Sequence, residues 1–292
     1  MKILLFSRPQ VKLSADDIDK LFSLVENHGF SYAINSEFAA MVQSLTSRTI
    51  APEAIYEGEV ECDDEDALML CCGGDGTLLE GVHRLKNKSI AIAAINFGHL
   101  GFLTAATREG IEELFADIAE HRLRIESRSM LAIEGIRQAG GVVTALNEVA
   151  AQRLEATMLN IEASVNGQTV AHYNGDGVIV ATPTGSTAYS MSVGGPIVYP
   201  SSPNFIIIPI APHNLTVRPL VVPSSVVIQL RVEGRGANIL TSLDGRTHIM
   251  DCGAQLRIAK TPFDVKMVQL DGYSFFGTLR DKLMWGADPR NA

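Results

Sequence analysis

An aspartate enclosed by glycines is the feature of this chain that most clearly could do chemistry. Residues 72–79 read Cys-Gly-Gly-Asp-Gly-Thr-Leu-Leu, and the carboxylate belongs to Asp75. The apolar run over 67–72 predicts a buried strand before it, and apolar residues at helical spacing over 78–85 predict a helix after it. A glycine turn at a helix N-terminus lets backbone N–H groups approach an anion closely. The segment therefore predicts a phosphate-binding loop, formed by Gly73, Gly74, Gly76 and Thr77.

The carboxylate needs an explanation of its own, because it repels phosphate. Either a cation bridges Asp75 and the phosphate, or a substrate hydroxyl donates its proton to Asp75; both arrangements belong to phosphoryl transfer. The purely structural alternative is a Gly-Asp-Gly turn, which would require neither both flanking glycines nor the threonine. The loop lacks the Gly-Lys-Ser/Thr ending of a P-loop and the glycine spacing of a dinucleotide fingerprint. It therefore indicates a different class of phosphate-handling protein.

Composition sets limits on the function. The chain has 292 residues, 46% of them hydrophobic and 20% charged, as in a soluble enzyme with two cores. Its net charge of -9 argues against a surface for nucleic acid or anionic membrane, because either requires a basic patch. The apolar stretch over residues 1–6 is too short for a signal peptide, and nothing approaches a membrane span. We therefore expect a cytoplasmic protein.

Neither the cysteines nor the acidic residues predict a metal site. The four cysteines show no Cys-x-x-Cys or Cys/His spacing; they are Cys62, Cys71, Cys72 and Cys252. The acidic run over 57–66 is typical of a solvated loop. We expect no metal held by the protein alone.

The order of the periodic segments predicts two domains. Strand and helix signals alternate over the first third, which indicates a doubly wound, Rossmann-like α/β domain over residues 1–125. Within it, Ser14 is predicted to cap one helix and Ser36 a second. After about residue 124 the pattern changes to short β-type runs with turns such as Asn166-Gly167. A β-rich domain is therefore expected over residues 126–263.

One run of the second domain is suited to holding a nucleotide. Residues 182–190 read Thr-Pro-Thr-Gly-Ser-Thr-Ala-Tyr-Ser. Ala188 leaves space for a flat ring, and Tyr189 presents an aromatic face. Small hydroxyls come from Thr184, Thr187 and Ser190. Such a surface suits adenine.

These motifs together resemble one family. The glycine loop is similar to that of the GGDGT kinases, which include NAD kinases, 6-phosphofructokinases, and the diacylglycerol and sphingosine kinases. The run over 182–190 resembles the NAD kinase signature, which the other members do not share. Further motifs follow in that family's order, at 95–103, Asn147-Glu148, Asp176-Gly177, 192–196, Pro212-His213, 218–220 and Asp244-Gly245. The sequence therefore resembles the NAD kinases over most of its length.

The resemblance implies a reaction. A phosphoryl group would pass from ATP or another donor such as polyphosphate, with Mg²⁺, to the 2′-hydroxyl of the adenosine ribose of NAD, giving NADP. Asp75 would accept the proton of that hydroxyl, and no tightly bound organic cofactor is implied. The resemblance also implies that the tail, residues 264–292, packs on the first domain. It further implies a homodimer or homotetramer that pairs through the β-rich domain.

The resemblance also assigns roles to individual residues of the second domain. Asn147, Thr187 and Ala188 would contact adenine, and Glu148 would bind ribose hydroxyls. Residues toward the nicotinamide would be Asp176, Tyr189, Ser192 and Ala211. The remaining members of the implied dinucleotide site are Asn174, Thr184, Ser190, Asp244 and Arg246.

Three positions depart from the family pattern. Glu80 stands where many bacterial relatives carry a basic residue, and Arg246 stands where glutamine is frequent. Gly175 stands where an arginine often precedes the aspartate, and in this family a small residue there is associated with use of NADH. We therefore predict NADH phosphorylation within about tenfold of NAD, and selective loss of NADH use when Gly175 becomes arginine.

Two other functions remain to be separated from this one. A lipid or sugar kinase shares the glycine-aspartate loop but not the adenine-binding motifs, so activity on diacylglycerol or fructose 6-phosphate would identify it. A catalytically silent NAD(P) sensor is the non-enzyme alternative. The presence of Asp75 argues against a sensor, because binding alone gains nothing from a carboxylate beside phosphates.

Overall fold

The chain folds as two compact units. The computed structural model describes residues 1–60, 62, 66–86, 89–98, 101–136, 142–234, 236 and 238–286. His99 and Leu100 of the motif over 95–103, parts of the acidic run over 57–66, and the last six residues of the tail lie outside these ranges. One unit comprises Met1–Ser127 and Val265–Ala292, and the other Arg128–Asp264. We call them the α/β unit and the β unit; the joins expected from the sequence were at residues 125 and 264.

The described residues form six α-helices and twenty strands. The helices are α1 (Ala15–Asn27), α2 (Ser36–Leu45), α3 (Asp75–Arg84), α4 (Ile111–Ala119), α5 (Tyr189–Ser192) and α6 (Phe275–Leu283). The strands before the β unit are β1 (Lys2–Phe6), β2 (Ser31–Asn35), β3 (Ile55–Tyr56), β4 (Leu68–Cys72), β5 (Ala91–Asn96), β6 (Ala106–Thr107) and β7 (Arg124–Arg128). Those that follow are β8 (Leu131–Glu134), β9 (Val143–Ala145), β10 (Glu148–Arg153), β11 (Leu159–Val165), β12 (Gln168–Gly175), β13 (Gly177–Ala181), β14 (Asn204–Ile210), β15 (Leu220–Pro223), β16 (Ile228–Gly234), β17 (Asn238–Leu243), β18 (Arg246–Asp251), β19 (Gln255–Lys260) and β20 (Val265–Gln269). None of the helices in the described ranges has the length and hydropathy needed to cross a bilayer.

The α/β unit is built on one sheet with helices on both faces. Its strand order is β3-β2-β1-β4-β5-β20-β7, with β6 also paired to β5, and the pairs from β3 to β20 are parallel. Leu5 and Leu70 pack in one core with α1, α2 and α4. On the opposite face, Gly81 of α3 lies against Cys71 and Met69 of β4. This is the doubly wound arrangement that the sequence predicts, and β20 brings the returning tail into the sheet beside β5.

Helix caps of the α/β unit show where local signals succeed and fail. Ser14 caps α1 in a capping box with Asp17, as predicted. The cap of α2 is not Ser36 but Asn35, whose side-chain oxygen accepts a hydrogen bond from the Phe38 N–H at 3.0 Å. The prediction was wrong by one residue because β2 runs directly into α2. The last residue of the strand is therefore already in the extended conformation that a cap requires.

The β unit consists of two antiparallel six-stranded sheets. Their strand orders are β15-β14-β13-β10-β17-β18 and β12-β11-β16-β19-β8-β9. Side chains from both sheets, such as Val149, Val180, Ile161 and Leu230, form a common core. The predicted Asn166-Gly167 turn joins β11 to β12 with positive φ at both residues, which is the geometry of a type I′ hairpin.

A second apolar layer of the β unit positions the nucleotide-binding run. Ala150, Ile179 and Ile208 lie side by side on the face of their sheet away from the common core. Tyr189 of α5 and Val193 after it pack on this layer. The run over 182–192 is thereby held across the ends of β10 and β13.

Candidate active site

The glycine loop joins β4 to α3 in the order that the sequence predicts. Gly73 follows β4 and donates its N–H to the carbonyl oxygen of Ile95 at 2.8 Å. Gly74 is the N-cap of α3, so Asp75 and Gly76 form its first turn. The first N–H groups of a helix have no partner within it and lie at the positive end of the dipole. The loop can therefore offer an anion the N–H groups of Gly74, Asp75 and Gly76, but not that of Gly73.

The carboxylate of Asp75 is held in one position by a second loop. Its two oxygens accept hydrogen bonds from the N–H groups of Phe102 and Leu103, each at 3.0 Å. The approach requires a glycine at Gly101, where a β carbon would lie 1.9 Å from one carboxylate oxygen. Two backbone donors fix the orientation of a carboxylate without neutralising it, as a general base requires.

Thr77 does not present its hydroxyl to solvent. Its side chain is completely buried, and its Oγ1 has no hydrogen-bond partner among the described residues. This oxygen lies beneath Gly73, 2.4 Å from where a β carbon of that residue would stand. A direct bond from Thr77 to phosphate stays a prediction.

In the β unit, Asp244 shapes the turn that carries Asn147 and Glu148. Its carboxylate accepts hydrogen bonds from the N–H groups of Leu146 at 2.7 Å, Asn147 at 2.8 Å and Glu148 at 3.2 Å. Asp244 has a φ of 47°, an uncommon value for a residue other than glycine. These contacts support a positioning role for Asp244, and a direct contact between Asp244 and the dinucleotide stays a prediction.

Glu148 has an altered proton affinity. Burial and, to a smaller extent, the nearby Asp244 carboxylate raise its pKa to about 8, against the opposing effect of the Tyr189 N–H, which donates to Glu148. Burial raises the pKa of Asp244 as well, opposed by its three backbone donors and by Arg246. Glu148 is therefore mainly protonated at neutral pH in the free protein, and it can donate one hydrogen bond as well as accept others.

Three buried polar atoms of this region point to a polar ligand. Asn147 Oδ1, Glu148 Oε2 and Ser190 Oγ have no hydrogen-bond partner in the part of the chain that the structure describes. Buried polar groups without partners are rare in folded proteins. Adenosine carries ring nitrogens, an amino group and hydroxyls that could satisfy them.

The other residues of the 182–192 run have more varied surroundings. The Thr184 hydroxyl accepts a hydrogen bond from the buried Arg128 at 3.5 Å, and the Thr187 hydroxyl donates to the Thr184 carbonyl at 3.3 Å. Ala188 is half-buried, and Ser192 is exposed. The Tyr189 hydroxyl donates to Gln152 at 3.2 Å, and the Tyr189 backbone N–H donates to Glu148. The residue is therefore held at both its backbone and its hydroxyl.

Two of the residues expected toward the nicotinamide, Asp176 and Ala211, lie around the end of β12. Asp176 pairs with Arg153 of β10, with 3.1 Å between Nε and a carboxylate oxygen. The Asn174 carbonyl accepts the N–H of His213 at 2.8 Å. Ala211 is exposed and has a φ of 43°. Arg153 was not identified from the sequence, because its partner is 23 positions away and no local motif contains it.

The structure corrects the reasoning about Gly175. A β carbon at this position would lie 2.8 Å from the carbonyl oxygens of both Ala211 and Ile210. Glycine is therefore required there by the close approach of neighbouring backbone. A side chain at Gly175 would meet that backbone before it met any ligand, so the proposed arginine substitution is a poor test of nicotinamide selectivity.

Arg246 is also engaged by the backbone. Its guanidinium donates to the carbonyl oxygen of Thr144 at 2.7 Å. It thus braces the strand that precedes the Asn147 turn. A direct contact with the dinucleotide stays a prediction.

Comparisons with known proteins follow the motifs. A model of the ATP-NAD kinase N-terminal domain matches residues 3–123, and one of the ATP-NAD kinase C-terminal domain matches residues 146–270. An NAD kinase of Flavobacterium psychrophilum is 37% identical over 100% of both chains. One of Porphyromonas gingivalis is 42% identical over 76% of this chain and 77% of its own.

Solved structures share the fold. Yeast NADH kinase complexed with NADH has a TM-score of 0.86 at 22% identity, covering 99% of this chain and 89% of that one. An NAD kinase from Archaeoglobus fulgidus in complex with ATP has a TM-score of 0.75 at 24% identity, covering 97% of this chain and 99% of that one. Both domain models and the full-length relatives lead to one conclusion: the chain belongs to the NAD kinase family and is a phosphotransferase.

Proposed function

We propose that this phosphotransferase joins a phosphoryl group to the 2′-hydroxyl of the adenosine ribose of NAD, with Asp75 as the general base. The observation that carries the assignment is the Asp75 carboxylate, held by two backbone donors in the first turn of α3. As the 2′-oxygen bonds to the γ-phosphorus, its proton passes to Asp75. The bond from the γ-phosphorus to the β-phosphate oxygen breaks, and ADP leaves with that electron pair.

ATP is the proposed donor, and Mg²⁺ enters with its phosphates. No group of three His, Cys, Asp or Glu side chains in the described ranges is placed to hold a metal ion. Mg²⁺ does not need such a group, because it commonly binds through substrate phosphates and water with only one or two protein carboxylates. Asp75 is the carboxylate of the loop that could contribute. When bound, the metal would offset negative charge on the phosphates.

The β unit would hold the adenosine of NAD. The unsatisfied oxygens of Asn147 and Ser190 support contacts with the adenine edge, and Glu148 supports contacts with ribose hydroxyls. Asp244 would keep Asn147 and Glu148 in the conformation that these contacts require. NADH is a second proposed acceptor, supported by the shared fold of yeast NADH kinase complexed with NADH.

We also propose a cytoplasmic homo-oligomer, a homodimer or a dimer of dimers. The cysteines Cys62, Cys71, Cys72 and Cys252 are all free thiols, which suits a reducing compartment. Val221 lies in edge strand β15 of the β unit and is 47% exposed, and Leu215, in the segment that precedes this strand, is 81% exposed. Exposed apolar residues at a sheet edge support subunit pairing there.

A single assay tests the function. Purified protein would be incubated with NAD or NADH, Mg²⁺, and a panel of ATP, other nucleoside triphosphates and polyphosphate, and NADP or NADPH would be measured. Diacylglycerol and fructose 6-phosphate would serve as alternative acceptors. We expect NADP from NAD and ATP. Phosphorylation of either alternative acceptor in place of NAD would contradict the proposal.

A further inference from the structure

We propose that Arg8 binds the phosphoryl group of the donor at the glycine loop and acts as a catalytic residue. The inference rests on the proposed function, since it takes the loop to be the phosphate site. It adds a cation to a loop that otherwise offers only backbone donors and carboxylates.

Chain topology places Arg8 at the loop. Strands β1 and β4 are parallel neighbours, with Phe6 opposite Cys71, so both end at the same edge of the sheet. The Ser7 hydroxyl fixes this end by donating to the Cys72 carbonyl at 2.7 Å. Arg8 therefore leaves β1 beside the point where the loop leaves β4.

The guanidinium lies against the first turn of α3. A β carbon built on Gly76 would stand 2.9 Å from Arg8 Nη2 and 3.3 Å from its Cζ and Nη1. Gly76 thus leaves the space that the guanidinium occupies. Because the N–H groups of this turn also face outward, an anion at the helix end would meet backbone and guanidinium donors together.

The charge of Arg8 is not neutralised within the described residues. Its Nε is buried without a hydrogen-bond partner there, and no ion pair of Arg8 with a described carboxylate is present. Two other arginines of the same unit are paired: Arg84 with Glu80 at 2.8 Å, and Arg108 with Asp17 at 2.8 Å. A partly buried cation without an acidic partner is costly unless an anion joins it.

Helix α3 carries its basic residues in its last turn, so it does not supply a cation at the glycine loop. Its charged residues near the loop are Asp75 and Glu80, both acidic, and Glu80 is held by Arg84. In a loose transition state, negative charge spreads over the oxygens of the moving phosphoryl group. A planar guanidinium can donate two hydrogen bonds to such oxygens. Arg8 would thereby stabilise the transfer while Asp75 receives the proton.

The test uses Arg8→Gln and Arg8→Lys, with Lys12→Gln as a matched control. Lys12 is an exposed cation of the same segment, so its loss controls for general electrostatic attraction of ATP. Steady-state kinetics would give kcat and KM for Mg-ATP and for NAD, and calorimetry would give the Kd of a non-hydrolysable ATP analogue. Unfolding midpoints would show that each variant is folded.

We expect Arg8→Gln to lower kcat/KM for ATP by about 10²-fold or more, with Arg8→Lys between it and the wild type. KM for NAD should change by less than about threefold in both. Added guanidinium ion should restore part of the Arg8→Gln activity, which would not happen if the residue only supported the fold. The Lys12→Gln protein should behave as wild type.

Unchanged kcat/KM for ATP in folded Arg8→Gln would overturn the inference, even if the wild-type protein makes NADP. The calorimetric Kd of the ATP analogue distinguishes a wrong assignment of Arg8 from a wrong proposed function. If the wild type makes no NADP, a weakened analogue Kd confined to the Arg8 variants still supports a phosphate contact. An unchanged Kd refutes it.

Discussion

The altered proton affinity of Glu148 should make the stability of the protein depend on pH in a defined way. In the folded protein its pKa is about 8, compared with an ordinary value of 4.5. At a pH between these two values, Glu148 is protonated in the folded state and ionised in the unfolded state. Because stability rises with pH only where the unfolded state binds more protons, Glu148 lowers stability as pH rises from about 4.5 to 8.

The size of the effect follows from the separation of the two pKa values. Each pH unit within the window contributes up to about 1.4 kcal/mol, so the full window corresponds to about 5 kcal/mol. The variant Glu148→Gln resembles the protonated form and cannot titrate. Its free energy of unfolding, relative to wild type, should therefore increase from pH 5 to pH 8 and become constant above about pH 9.

Urea unfolding at several pH values, followed by circular dichroism, would measure this difference. Glu155→Gln is the control, because Glu155 is exposed in the same unit. Asp244→Asn should lower the upper end of the window and leave the lower end unchanged, since the Asp244 charge contributes to the raised pKa of folded Glu148. A wild-type and Glu148→Gln difference that stays constant from pH 5 to pH 9 would refute the reasoning.

Two further predictions concern Gly175 and subunit assembly. Gly175→Ala should lower stability by about 1–3 kcal/mol, since its β carbon would meet two carbonyl oxygens. It should impair NAD and NADH use alike; a tenfold change in their ratio without loss of stability would show that the side chain faces the ligand. Light scattering at micromolar concentration should show a dimer or tetramer, and a lone species of 31.5 kDa would contradict the proposed pairing.

Local patterns were enough to predict the elements that carry the site. Strand β4, the glycine turn and helix α3 follow from apolar spacing and from glycine. The capping box of Ser14 and the Asn166-Gly167 hairpin are likewise encoded in a few adjacent residues. Each depends on interactions within about one helical turn or one hairpin, which a sequence displays directly.

Contacts between distant segments were beyond such patterns. Asp244 binds backbone groups 96 to 98 positions earlier, and this depends on the pairing of β10 with β17. Arg8 reaches the glycine loop only because β1 and β4 are neighbours. Glycine is required at position 175 because the backbone of Ile210 and Ala211, more than 30 positions away, lies against it. The resemblance placed Asp244 in the dinucleotide site, and the missing side chain of Gly175 was interpreted as tolerance for NADH. The fold adds that Asp244 holds three backbone N–H groups and that Gly175 lies against two backbone carbonyl oxygens.

The central claim is that Asp75 accepts the proton of the 2′-hydroxyl, and Asp75→Asn tests it most directly. Asparagine keeps a similar size but cannot serve as the base. The measurement is the rate of NADP formation from NAD and Mg-ATP, with NAD affinity determined by calorimetry on the same folded protein. We expect kcat to fall by about 10²-fold to 10⁴-fold while NAD affinity stays within about tenfold of wild type. Turnover close to that of the wild type in folded Asp75→Asn would contradict the assignment.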